Sequence, residues 1–140
     1  MKKVIVIYIL TILSSLVVIA EMTVPPVREV FSGSPLFLAP FAVFFLFSLS
    51  TLVFTVRGKI KGALRTFLLI TGGAGAPIFV SILLHNLIYG IFVHFFGEGI
   101  WGGVGGDEPV FFILGLIVFP VLYLAGAVGT AASLIIRRQR

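Results

Sequence analysis

The chain has 140 residues, of which 59% are apolar and only 11% charged, and its mean hydropathy is +1.23. Soluble domains carry about a quarter charged residues, so this composition excludes disorder and points to a helical membrane protein. The absence of cysteine excludes disulfides, thiolate catalysis, iron–sulfur clusters and cysteine-ligated zinc.

The first apolar run, residues 4–20, carries no charge and spans 17 residues. At 1.5 Å per residue it reaches about 26 Å, which suits a nearly upright helix. Met1-Lys2-Lys3 before it and Val18-Ile19-Ala20 at its end also admit a cleaved signal peptide. Cleavage leaves three spans with unchanged orientation. Next comes a stretch of breakers: Pro25-Pro26 and Ser32-Gly33-Ser34-Pro35 bracket a short segment, Val27 to Phe31. That segment reads as one helical turn lying on the membrane surface. Ser34-Pro35 supplies an N-cap and first-turn proline for span 2, residues 36–56.

Span 3 is predicted over residues 66–86, with an apolar extension to 96. Thirty-one uncharged residues would make roughly 46 Å of helix against a ~30 Å hydrocarbon core. The extension is therefore expected to bend into the outer interface, where Tyr89, Phe92, Phe95, Phe96 and Trp101 suit the depth. Gly97 to Gly106 holds six glycines in ten residues; without a strand before it or a Walker lysine, it reads as a turn rather than a phosphate loop. Asp107-Glu108-Pro109 then opens span 4, residues 110–136, with both carboxylates read as helix-capping groups.

These long uninterrupted runs exclude a β-barrel. The expected fold is all-α: a four-helix transmembrane bundle in one domain, 1–140. Charge orients it. Lys2, Lys3, Arg57, Lys59, Lys61, Arg65, Arg137, Arg138 and Arg140 fall on one side, nine of the ten basic residues. All five acidic residues, Glu21, Glu29, Glu98, Asp107 and Glu108, fall on the other. The positive-inside rule places both termini in the cytoplasm, in the plasma membrane. The expected partners are the lipid bilayer and further copies of the chain or other membrane subunits, not nucleic acid.

Three groups of residues stand out. Thr71, Gly72, Gly73, Gly75 and Pro77 lie near the middle of span 3, and Pro120 reaches the same depth in span 4. Each proline removes a backbone donor. Span 3 is accordingly expected to be kinked or locally unwound between Gly72 and Pro77, beside a bend at Pro120 in span 4, either as close helix packing or as a midplane binding site. No ionisable residue lies at that depth in any span, which argues against ion coupling. A second group, His85, Asn86, Tyr89 and His94, forms a candidate polar site at the outer interface. His85 and His94 are nine residues apart, so a straight helix cannot aim both at one metal. A third group, Ala125, Gly129 and Ser133, makes a small-residue stripe for helix packing, with Gly126 and Thr130 beside it.

No catalytic residues, metal or cofactor are expected. The chain reads as a non-enzymatic subunit, anchor or scaffold. The alternatives are a small oligomeric channel or transporter with its site at the midplane break, and a haem- or quinone-binding anchor of a redox complex near His85.

Overall fold

A computed structural model describes residues 1–31, 34–97, 99 and 108–139. Among these there is no strand. Four helical segments are long and apolar enough to cross a membrane: Lys2–Thr23, Leu36–Arg57, Ala63–Phe96 and Pro109–Arg138. Their lipid-compatible exteriors carry exposed leucine, isoleucine, valine and phenylalanine throughout.

Helix α1 covers Lys2–Thr23 and is followed by the short helix α2, Pro25–Phe31. The two prolines sit in the first turn of α2, where a missing N–H breaks no helical bond. Ser34 then accepts a hydrogen bond from the Leu36 N–H at 3.2 Å. The turn it opens is a 3-10 turn, Pro35–Leu38, leading into α3, Ala39–Arg57. After a short connection, Gly62 starts α4 with φ +71, a conformation that β-carbon sterics discourage in other residues. Helix α4 runs from Ala63 to Phe96.

Glu108 begins the last span. Its Oε1 accepts from the Val110 N–H at 2.8 Å and its Oε2 from the Phe111 N–H at 2.9 Å. The capping group is thus the glutamate; Asp107, like Glu98, Trp101 and most of the glycine-rich loop, lies outside the described residues. The span comprises α5, Pro109–Ile113, a π-helical segment, Leu114–Val118, and α6, Phe119–Arg138.

Of the two irregularities expected at the midplane prolines, the structure shows one in span 4, beside Pro120. Helix α4 is continuously α-helical through Thr71–Pro77, so the local unwinding expected from the sequence does not occur. In span 4 a wider turn directly precedes Pro120: the Phe119 N–H donates to the Leu114 carbonyl, a five-residue step. This π turn accommodates a chain that next meets a residue without an N–H.

The helices form three extensive interfaces, α4 with α6, α3 with α4, and α1 with α3. Helices α1 and α6 share no comparable face. They are tied by two tyrosines: Tyr8 donates to the Ala127 carbonyl at 2.8 Å, and Tyr123 to the Thr11 carbonyl at 3.4 Å. One apolar cluster, Val4, Tyr8, Ile60, Leu64 and Leu68, lies toward the basic end of the bundle. Another, Phe44, Ala74, Ile78 and Tyr123, lies farther along. Between the helices run fully buried hydroxyls from Thr11, Ser48, Thr51, Thr55, Thr71 and Thr130. Thr11 gives its proton to the Ile7 carbonyl, so Thr51 is the donor in their 2.9 Å contact. In lipid such bonds hold helices together where apolar burial provides little drive.

Candidate functional site

The midplane residues take their places in helix contacts. Thr71, Gly72 and Gly75 are buried, and Gly73 and Pro77 are half-buried. A β-carbon on Gly72 would stand 2.6 Å from the Leu52 nitrogen and 2.8 Å from the Ser48 carbonyl oxygen. The backbones of α3 and α4 therefore touch there. On Gly75 a β-carbon would meet the Ser48 hydroxyl at 2.5 Å. Thr71 donates to the Phe67 carbonyl at 2.8 Å and lies 3.4 Å from the Thr130 hydroxyl on α6. Small side chains on α4 thus let α3 and α6 approach from two sides.

The reciprocal surface on α6 differs from the predicted stripe by one position. Ala125 faces outward and is exposed, whereas Gly126, Ala127 and Thr130 are buried. A β-carbon on Gly126 would lie 2.6 Å from the Thr71 nitrogen. One residue is 100° of helix, so a face centred on Gly126 turns Ala125 toward lipid. Gly129 abuts the Phe67 ring, and Ser133 borders a smaller hollow near the basic end with Lys61 and Arg137.

A cleft of about 550 Å³ opens in the half of the bundle nearer the acidic end. It opens between α1 and span 4, where α1 and α6 share no extensive face. One wall is α1, through Ser15, Val18, Ile19 and Met22. The opposite wall is span 4, through Phe111, Phe112, Gly115, Leu116, Pro120 and Leu124, and so includes residues of the π turn. Phe37 and Phe41 close one side, Ile78 and Ile82 the back. The floor is Phe44 packed edge-on against Tyr123, with ring centroids 5.2 Å apart.

Polar groups gather toward the mouth. His85 and Asn86 border it from α4 and Thr23 from α1. The His85 Nδ1 lies 3.2 Å from the Glu108 carbonyl oxygen and 3.5 Å from Oε2 of the same residue. That pairing ties α4 to the cap of α5 and orients the imidazole. The ring also packs against Phe112 at 5.5 Å and is stacked with Tyr89 at 6.5 Å. Asn86 donates to the Ile82 carbonyl at 2.8 Å.

Of the predicted outer polar group, His85, Asn86 and Tyr89 are therefore neighbours. His94 is exposed, packed on Phe95, and takes no part in the cleft. Pro120 joins the cleft wall, away from Thr71 and Gly73. The contribution of α1 lay in a run without charges. The polar interruptions Ser14-Ser15 and Tyr123 were the available signals, because polar atoms in a span turn away from lipid.

Searches against family models, curated proteins and solved structures return no match.

Proposed function

We propose that the chain is a non-enzymatic multi-pass protein of the plasma membrane, acting as a subunit, anchor or scaffold with both termini cytoplasmic. The observation that carries this reading is the backbone-to-backbone closure at Gly72 and Gly126. It fills the midplane with helix contacts at the place where a transport site would need space. Such packing argues against conduction by a single copy along Thr71–Pro77, and a tightly packed bundle suits a protein that works by holding others.

Reconstituted liposomes provide the test. The purified chain should leave efflux of small neutral and ionic solutes at the level of protein-free vesicles, while cross-linking in cells from lipid-facing Val128 should capture a membrane protein or a second copy. Solute flux that scales with the amount of chain would overturn the reading. Orientation is checked separately, using the natural absence of cysteine. Val30→Cys, on exposed α2, should react with an impermeant thiol reagent in intact cells. Lys61→Cys should react only after permeabilisation. Reaction of both from outside would exclude the proposed topology.

A further inference from the structure

We propose that the cleft between α1 and α6 is a lipid site that holds one acyl chain of a phospholipid from the leaflet at the acidic end. The inference uses the membrane-spanning character of the four segments and is independent of the scaffold role.

Depth is the first argument. From Thr23 to Ser15 on α1 and from His85 to Ile78 on α4 the lining extends about 10–12 Å along the helices. On span 4, from Phe111 to Leu124, it extends roughly 20 Å. One leaflet contributes about half of a ~30 Å hydrocarbon core. The α1 and α4 walls are therefore close to one leaflet deep, down to the Phe44–Tyr123 pair, and only the span 4 wall runs a little farther, to Leu124. A site for a through-going solute would continue past this floor; here the Tyr123 hydrogen bond to α1 closes it.

Polarity is the second argument. Deep in the cleft the lining is apolar except for Ser15 and Tyr123, whose hydroxyls donate to α1 carbonyls, while Thr23, His85 and Asn86 stand at the mouth. That gradient matches an amphiphile standing parallel to the helices, with its chain inside and its polar head at the histidine. The volume, about 550 Å³, lies within the roughly 300–1,000 Å³ of small-molecule sites. The third argument is access. The gap lies between two helices that share no extensive face, and Ile19 and Leu124 on its two walls are half-exposed. The chains of the surrounding bilayer thus reach it sideways without crossing a polar barrier. The π turn at Leu114–Val118 helps shape the wall that receives them.

The test uses the whole chain in nanodiscs containing a phosphatidylcholine with a photoactivatable diazirine at the end of one acyl chain. After illumination and digestion, label should concentrate on Phe44, Ile78 and Leu124. The yield there should be roughly tenfold above that on Leu46, which is exposed at similar depth on α3 but lies outside the cleft. Unlabelled phosphatidylcholine should compete, and the pair Ile19→Trp with Leu124→Trp should abolish the excess while Leu46→Trp retains it. Uniform labelling of the apolar exterior would overturn the proposal. So would an excess that survives the filled cleft, or one displaced by an isoprenoid quinone but not by phospholipid. Circular dichroism monitors folding of the variants; if the double variant is unfolded, the wild-type labelling map and the competition decide alone.

Discussion

Alanine at Gly126 or Gly72 should destabilise the bundle, whereas alanine at Gly73, next to Gly72, should stabilise it. Two effects compete wherever a helical glycine is in close contact. Alanine gains about 1 kcal/mol of helix propensity over glycine. Against that stands whatever the new methyl strikes. At Gly126 it strikes the Thr71 nitrogen at 2.6 Å, and at Gly72 the Leu52 nitrogen at 2.6 Å. Both obstacles are main chain of a packed helix, so relief requires the helices to separate. Overpacking of this kind costs about 1–3 kcal/mol, sometimes more, and separation also forfeits neighbouring dispersion contacts. At Gly73 the nearest obstacle is the Leu52 Cδ1 at 4.0 Å, ordinary contact, so the propensity gain remains. Gly129 is intermediate. Its methyl would meet the Phe67 ring, a side chain able to change rotamer, and Gly129→Ala should be nearly neutral. Thermal unfolding in one detergent, followed by circular dichroism, gives the order Gly73 above wild type, Gly129 near it, and Gly72 and Gly126 below. Equal losses at Gly72 and Gly73 would mean that the whole glycine run has a role other than packing.

This ordering marks the boundary of what the sequence made legible. Long uncharged runs define the spans, because a ~30 Å apolar solvent demands them, and the four apolar segments appear where those runs lie. Ser34 and Glu108 were readable as helix starts because capping is local chemistry. Which glycine touches which backbone was not readable, since it depends on helix rotation. A rotation of one residue separates Ala125 from Gly126, and both are small. The two midplane prolines were equally visible, yet only the second adjoins a π turn. The first is held in a continuous α-helix whose Gly72 and Gly75 pack tightly against α3. Of the cleft, His85, Asn86 and Pro120 could be picked out by residue type. The aliphatic wall of α1 could not, because Val18, Ile19 and Met22 resemble lipid-facing residues until a second helix stands opposite.

The second large effect concerns Glu21: replacing it with methionine should raise stability. In the sequence this carboxyl counts as one of the acidic charges between spans. In the structure it lies in the last turn of α1 and is fully buried. Neither of its oxygens has a hydrogen-bond partner among the described residues. A buried polar group left unsatisfied costs about 1–3 kcal/mol, and a charged one more. Its position adds a second unfavourable contribution, because a negative charge in the last turn opposes the helix dipole. Methionine fills similar space with no polar atom to satisfy and adapts to irregular gaps. Glu21→Met should therefore raise the unfolding temperature by several degrees. Glu21→Gln should give a smaller gain, because it removes the charge but keeps a buried amide in need of partners. The order Met above Gln above wild type distinguishes desolvation from simple charge repulsion, which would make the two variants equal. A loss of stability in Glu21→Met would show instead that the carboxylate is bound by a donor or cation in the folded protein. The acidic end of α1 would then be a contact point, and the partner would be sought among cationic groups that reach the first span.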